Sequence, residues 1–234
     1  MGKYRVRFFV TERENPLGKE RLDAIVNLLL DNPFGKYEKM CPDVDEHEFI
    51  PFSKNLLLEE IQRRKYFSII MRSEMSSENP EGNLSITLTS EKNRNSLALI
   101  IDHDDFITSG EVGRFLLFVE NMSKMFTKLT RGSVRAVEFN ADKYRKKHKV
   151  KRLNDCFGGY IKWIHILGVF HYKENGYSKN DLLNAPAYKV EEWENDTVFM
   201  MSYKEPFSWD EEVTINQMKE LNNYLLDKAE DIQW

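Results

Sequence analysis

The sequence predicts an α+β fold in which a mainly antiparallel sheet of meanders and hairpins packs against three or four helices. Short strands follow one another with brief polar turns, which is typical of antiparallel meanders. Capped helices interrupt these strands without strict strand–helix alternation. The chain has 234 residues, 41% of them hydrophobic, which is enough for a core of its own. We expect one domain over 1–234, with a subdivision into 1–155 and 156–234 left open.

The first predicted strand is Lys3–Val10, where bulky apolar and cationic residues alternate. Asn15 and Pro16 then open a helix, because they supply a cap and a preset backbone angle, and the helix ends before Pro33. Its predicted buried face consists of Leu22, Ile25, Val26 and Leu29. Segment Phe34–Ser53 contains prolines and several acids, so we expect a long, partner-facing loop.

A short helix around Leu56–Arg64 is predicted to precede a three-stranded meander. Its strands are Tyr66–Met71, Asn83–Thr89 and Asn95–Ile101. Thr108 and Glu111 have the spacing of a capping box, and apolar residues then recur every three or four positions. This pattern predicts a helix that runs to Gly132.

The C-terminal part repeats this arrangement of strands and a final helix. The predicted strands are Val134–Phe139, Tyr160–Leu167, Tyr188–Glu194 and Thr197–Tyr203. Asn195 and Asp196 are expected to form the turn of a hairpin between the last two strands. Ser208 and Glu211 have capping-box spacing and predict the start of the final helix.

Charge is distributed unevenly although the formal net charge is only -4. From Glu174 to Trp234 the sequence has 14 acidic and 5 basic residues. Segment Lys143–Arg152, by contrast, contains seven cations in ten residues. We expect this basic run to be solvated, as the exposed continuation of a strand or as a helical turn. Nucleic-acid binding is not favoured, because the chain is acidic and Tyr144 is the one stacking residue in the run.

Cys41 and Cys156 are the two cysteines of the sequence. They are too few for a disulfide framework and lack the paired spacing of a zinc site, so we expect a reducing compartment. The first residues lack a signal-peptide pattern, and no apolar stretch is long enough to span a membrane. These features predict a cytoplasmic protein.

The tightest polar cluster, Asp102, His103, Asp104 and Asp105, follows a predicted strand, where metal-binding carboxylates are common. A restriction-type nuclease would add Glu-x-Lys on a following strand. Here Glu138 is followed two positions later by Asn140, so the lysine is missing. The favoured interpretation is a solvated turn whose aspartates cap local amides.

His165 and His171 are predicted to be structural, because their spacing places them together neither on a helix nor on a strand. Neighbouring cations could lower the pKa of Cys156, with His148 or His165 as a base, but no nucleophile motif frames this residue. Gly158 and Gly159 lack a phosphate-loop pattern and are expected to form a turn.

Four acids surround one indole in the C-terminal hairpin: Glu191, Glu192, Glu194 and Asp196 around Trp193. Large aromatic rings surrounded by charge are typical anchors of protein interfaces. In the alternative arrangement, Trp193 faces the core and the glutamates line the solvated face. An acidic face can steer a basic partner in either case.

The last third of the chain leads from Gly158-Gly159-Tyr160 into a strand and continues through the hairpin to the turn Glu205–Asp210 and a final helix. This arrangement resembles bacterial polymorphic-toxin immunity proteins, and immunity protein family fifty-two in particular. The resemblance implies a cytoplasmic α+β protein that neutralises, by binding, a toxin encoded beside it. Such toxins are often restriction-endonuclease-like nucleases delivered by a secretion system such as type VI.

We therefore predict a non-catalytic immunity protein that forms a one-to-one complex with a cognate toxin and occludes its active site. It is expected to need no metal or cofactor and to bind no membrane. The predicted partner-binding residues are Glu191, Glu192, Trp193, Glu194, Asp196 and Trp209. Two alternatives stay open: a metal-dependent nuclease or phosphodiesterase that uses Asp102–Asp105 with the basic run on nucleic acid, and a phage or host inhibitor of another enzyme.

Overall fold

The computed structural model describes residues 5–13, 18–32, 34–43, 48–73, 84–102, 111–136 and 139–230. The chain divides into two compact units, Met1–Lys128 and Leu129–Trp234. This division falls at 128/129, whereas the subdivision considered from the sequence falls at 155/156. Strand pairings within each unit are antiparallel, and helices accompany the strands in both. The predicted α+β class with mainly antiparallel sheet is confirmed.

The first unit contains six strands and three helices among its described residues. The strands are β1 (Arg5–Glu12), β2 (Lys39–Cys41), β3 (Ile50–Pro51), β4 (Phe67–Arg72), β5 (Leu84–Glu91) and β6 (Arg94–Asp102). The helices are α1 (Lys19–Leu30), α2 (Lys54–Arg63) and α3 (Glu111–Lys124). The strands lie in the order β3-β2-β4-β5-β6-β1. The predicted meander is therefore confirmed in β4, β5 and β6.

Apolar faces of strands and helices form the core of the first unit. Phe8 pairs with Leu99 across β1 and β6, and both side chains are fully buried. Phe118 of α3 packs edge-on against Phe8, with ring centroids 6.5 Å apart. The buried residues of α1 are the four that the sequence predicts, Leu22, Ile25, Val26 and Leu29. Burial of these faces provides the main driving force for this unit.

A buried carboxylate, Glu12, lies at the end of β1. Its Oε1 accepts hydrogen bonds from Arg21 NH2 at 2.6 Å and from Asn95 Nδ2 at 2.9 Å. Its Oε2 accepts from the backbone N–H of Lys128 at 3.3 Å. Because a buried charge is tolerated only when paired and hydrogen-bonded, this set fixes α1 and the end of α3 against the sheet.

The second unit contains four strands and four helices among its described residues. The strands are β7 (Leu129–Ala136), β8 (Ile164–Leu167), β9 (Lys189–Trp193) and β10 (Thr197–Met201), in the order β7-β8-β10-β9. The helices are α4 (Ala141–His148), α5 (Val169–Glu174), α6 (Lys179–Leu183) and α7 (Glu212–Glu230). Asn195 and Asp196 have φ angles of 58° and 56°, as a type I′ turn requires. The predicted hairpin is therefore confirmed.

Trp163 and Gly168 fix the β8 region of the second unit. The fully buried Trp163 donates its indole N–H to the Tyr203 carbonyl oxygen at 2.9 Å. Gly168 donates its N–H to Thr130 O, and a Cβ at Gly168 would lie 1.7 Å from Leu129 O. Only a glycine permits the backbones to approach this closely.

Three predictions for the first 132 residues are wrong. The helix predicted to open at Asn15 and Pro16 begins at Lys19, with the extended Gly18 as its cap. The helix predicted to reach Gly132 ends at Lys124, and β7 begins at Leu129. Phe126 and Leu129 have helical spacing, but the residues from Gly132 to Ala136 alternate between buried and partly exposed positions, so this segment is a strand. The predicted loop Phe34–Ser53 contains β2 and β3, which are too short to show a sequence period.

Three differences from the predictions lie in the second unit. The strand predicted from Tyr160 begins only at Ile164, because the preceding residues form a turn and an extended connection. Ser208 does not cap the final helix, which begins at Glu212; its hydroxyl donates to Glu205 O at 2.9 Å and lies 3.1 Å from the Thr214 hydroxyl. The helix count is seven among the described residues, and the three additional helices, α4, α5 and α6, are short.

The caps predicted at Asn15, Pro16 and Thr108 lie outside the described residues. In the described part of the chain, no helix combines the length and the apolar character needed to cross a bilayer.

Candidate functional site

A tight loop between α4 and β8, residues 153–159, supports a cluster of positively charged side chains. Leu153 N–H donates to Gly159 O, and Gly159 N–H donates to Asn154 O, so backbone hydrogen bonds close the loop. Gly158 and Gly159 have φ angles of 63° and 88°, which favour glycine. The predicted turn at this pair is therefore confirmed.

Carbonyl oxygens of this loop hold cationic side chains from three separate elements. Lys162 Nζ donates to Phe157 O at 2.8 Å, and Arg131 NH1 of β7 donates to Asp155 O at 3.1 Å. Arg145 NH1 of α4 donates to Gly159 O at 3.5 Å. The loop therefore acts as a scaffold that gathers positive charge.

The two glycines leave room for these cations. A Cβ at Gly158 would lie 3.0 Å from Lys162 Nζ and 3.5 Å from Arg131 NH1. A Cβ at Gly159 would lie 3.1 Å from Arg152 Nε. Arg135 lies four residues beyond Arg131 along β7 and therefore on the same face of that strand. We call Arg131, Arg135, Arg145, Arg152 and Lys162 the cationic cluster.

Burial is the main cause that lowers the pKa of Lys162, from its ordinary 10.5 to about 7, and the charges of Arg131 and Arg135 add to it. Within the described residues, no carboxylate forms an ion pair with Lys162 or with these two arginines. A buried cation without a counter-charge destabilises the fold. Residues whose pKa is strongly shifted by burial and by neighbouring charges are common at functional sites.

Residues beside the cluster are not arranged for nucleophilic or acid–base chemistry. Burial raises the pKa of the Cys156 thiol to about 12, although Arg131 and Lys162 act in the opposite direction. His165 is fully buried, and its Nε2 accepts the Lys162 backbone N–H at 2.9 Å. Burial, with the nearby Lys162 and Arg131 charges, holds the pKa of His165 well below its usual range. Cys156 is therefore a protonated core thiol, and His165 is a neutral structural histidine.

His171 is also buried, and its Nε2 lies 3.3 Å from Cys156 O. The structure therefore places both histidines in packing roles, as the favoured interpretation of the sequence expects.

The predicted metal-binding acids lie largely outside the described residues. Strand β6 ends at Asp102, whereas His103, Asp104, Asp105 and Glu138 are not described. Among described residues, no group of three or more His, Cys, Asp or Glu side chains is arranged to hold a metal ion.

The acidic hairpin forms the end of the strand order in the second unit. Strand β9 pairs with β10 on one side, and no described strand pairs with its other side. Trp193 is partly exposed and stacks on Phe199 of β10, with ring centroids 4.6 Å apart. Tyr188, which is 50% exposed, precedes β9. Within the described part of the chain, the hairpin therefore presents an unpaired edge between two accessible aromatic side chains.

The acids of the hairpin divide between its two faces. Glu191 lies on the Trp193 face and pairs with Lys189 at 2.7 Å. Lys179 of α6 bridges Glu192 at 2.8 Å and Asp196 at 2.7 Å. The hydrogen bond from Lys179 lowers the pKa of Asp196. Lys173 also acts on Asp196 through its charge. Three lysines therefore offset part of the charge of the four acids, and the hairpin surface stays net negative.

Trp209, the sixth predicted partner-binding residue, contacts a different set of aromatic side chains. Its ring packs edge-on against Phe139, with centroids 5.4 Å apart. Phe139 also contacts Tyr144 of α4 and Tyr160. Trp209 therefore belongs to an aromatic cluster that supports α4.

The structure places the basic run, Lys143–Arg152, mainly on α4, whose Asn140 cap accepts the Lys143 N–H. Lys146 and Lys147 are exposed, as predicted, but Arg145 and Arg152 belong to the cationic cluster. Sequence reasoning missed Arg131, Arg135 and Lys162. The pattern Arg-x-Ser-x-Arg in β7 could have indicated the two arginines of the cluster, since it places both on one face of the strand.

No protein-family model matches this sequence, and no curated protein matches it either.

Proposed function

We propose that the protein is a non-catalytic immunity protein, which binds a cognate toxin and blocks the toxin's active site. The observation that carries this proposal is the net negative edge of β9, with which no described strand pairs and which lies between two accessible aromatic side chains, Tyr188 and Trp193. The resemblance of the last third of the chain to immunity protein family fifty-two supports the same conclusion.

Charge and aromatic anchors give this edge the properties of a binding surface. Glu191, Glu192, Glu194 and Asp196 outnumber the neighbouring Lys173, Lys179 and Lys189. A nuclease cleft is positively charged because it holds a phosphate backbone, so an acidic edge attracts it and accelerates encounter. The indole of Trp193 is already ordered by stacking on Phe199, so binding loses little side-chain entropy there.

The edge of β9 also offers backbone groups to a partner. An unpaired strand edge presents N–H and C=O groups that a second chain can pair with, and flanking charges prevent indiscriminate pairing. The charges on β9 therefore suit a specific partner of opposite sign. This surface is the proposed position of the toxin.

The experiment measures association with the toxin encoded beside this gene, in a stopped-flow instrument over a range of salt concentrations. Replacing Glu191, Glu192 and Glu194 by glutamine should slow association about tenfold at low salt and flatten its salt dependence. The matched control replaces three exposed acids by glutamine: Glu211, which directly precedes α7, and Glu212 and Glu220 of α7. Equal rates in the two triple variants would remove the β9 acids from the mechanism.

A further inference from the structure

We infer that the cationic cluster around the 153–159 loop is a binding site for phosphate-bearing anions. The loop collects side chains from β7, α4 and the segment before β8 at one position. This inference concerns a surface separate from the β9 edge and does not depend on the proposed toxin binding.

The geometry brings two cations together at one point. Lys162 Nζ and Arg131 NH1 both lie within 3.5 Å of the position that a Gly158 Cβ would occupy. The two positive charges are close enough to repel each other. The carbonyl oxygens that accept their hydrogen bonds carry only partial negative charge, so they do not neutralise the two cations. An anion placed between the two groups would replace this repulsion with two charge-assisted hydrogen bonds.

The loop's own amide groups do not provide the site. The N–H groups of Phe157, Gly158 and Gly159 donate to carbonyl oxygens within the loop. Anion recognition at this site would therefore depend on the side-chain cations. One guanidinium group can donate two parallel hydrogen bonds to a phosphate group. The four arginines of the cluster are therefore suited to phosphate binding.

The number of cations favours a ligand with more than one phosphate group. Arg145 shares its charge with Asp142, whereas the described residues provide Arg131, Arg135 and Lys162 with no carboxylate. A free polyphosphate group and successive backbone phosphates of a nucleic acid both carry this charge density.

Two probes test the site in the intact protein. Pyrophosphate is titrated by calorimetry, and a fluorescein-labelled single-stranded oligodeoxynucleotide of about 12 nucleotides is titrated by fluorescence anisotropy. For each probe that the wild type binds, Arg131→Gln and Lys162→Met should each raise the dissociation constant about tenfold. The control, Lys146→Gln with Lys147→Gln, removes two exposed charges of the same basic run outside the cluster.

Saturable binding of either probe that depends on Arg131 and Lys162 supports the site. Binding of pyrophosphate identifies a free polyphosphate ligand, and binding of the oligonucleotide alone identifies a nucleic-acid backbone. The inference is overturned if neither probe binds, or if the Lys146 and Lys147 control weakens binding as much as the cluster variants. Thermal unfolding of each variant verifies that it is folded.

Discussion

Replacing Lys162 by methionine should stabilise the protein, although it removes the hydrogen bond to Phe157 O and the cation–π contact with Tyr160, whose ring centroid lies 5.1 Å from Nζ. The pKa of Lys162 falls from its ordinary 10.5 to about 7 on folding, with burial as the main cause. At 1.36 kcal/mol per pKa unit, this difference corresponds to about 4 to 5 kcal/mol of destabilisation. Water reaches part of the side chain, so we expect methionine to recover about 1 to 3 kcal/mol.

The pH dependence of the stability identifies this cause. Between pH 7 and 10.5 the unfolded chain binds a proton at Lys162 that the folded chain does not bind. The free energy of unfolding therefore rises with pH in this window, by up to about 1.4 kcal/mol per pH unit from this group. Below pH 7 the group is protonated in both states and the destabilisation is complete. The methionine variant lacks this contribution.

Urea denaturation at pH 7.0 and pH 8.5, followed by tryptophan fluorescence, measures both quantities. The gain from Lys162→Met should be larger at pH 7.0 than at pH 8.5. Lys146→Met, at an exposed position of α4, is the matched control and should change the stability by less than about 0.5 kcal/mol. A Lys162→Met variant that is less stable than the wild type, or that keeps the same pH dependence, would refute the reasoning.

Three further predictions concern buried groups. Glu12→Gln should lower the free energy of unfolding by about 3 kcal/mol, because Arg21 loses its buried carboxylate, whereas exposed Glu91→Gln should have little effect in the same urea titration. Gly168→Ala should lower the melting temperature markedly, with a loss of about 3 kcal/mol, since its Cβ meets Leu129 O; an unchanged melting temperature would contradict the close approach. Cys156 should react with iodoacetamide at pH 8 at least about a hundredfold more slowly in the folded protein than in urea, as measured by mass spectrometry of its peptide, because its thiol is buried and its pKa is raised.

Elements with a clear period could be predicted from the sequence. The buried face of α1 and the strands β1, β4, β5 and β6 follow from residues that alternate or recur within one element. The hairpin turn at Asn195 and Asp196 also follows, because these residue types accept positive φ angles. Strands β2 and β3 could not be predicted, since two or three residues show no period.

The two candidate sites could be predicted from the sequence to different extents. The acidic residues of the hairpin lie close together in the sequence, so their composition is visible directly. The pairing of Glu192 and Asp196 with Lys179 requires the fold of α6. The cationic cluster combines β7, α4 and the loop before β8, which lie apart in the sequence. Burial of Lys162 is a tertiary effect and leaves no local signature.

The most direct measurement of the proposed function follows the activity of the adjacent-gene toxin while this protein is added in increasing amounts. For a nuclease toxin, the substrate is a labelled DNA and the buffer contains Mg²⁺. For a one-to-one complex, activity should fall linearly and disappear at one equivalent, and the Glu191, Glu192 and Glu194 triple variant should need a larger excess. Full toxin activity at several equivalents, or DNA cleavage by this protein alone, would contradict a non-catalytic immunity function.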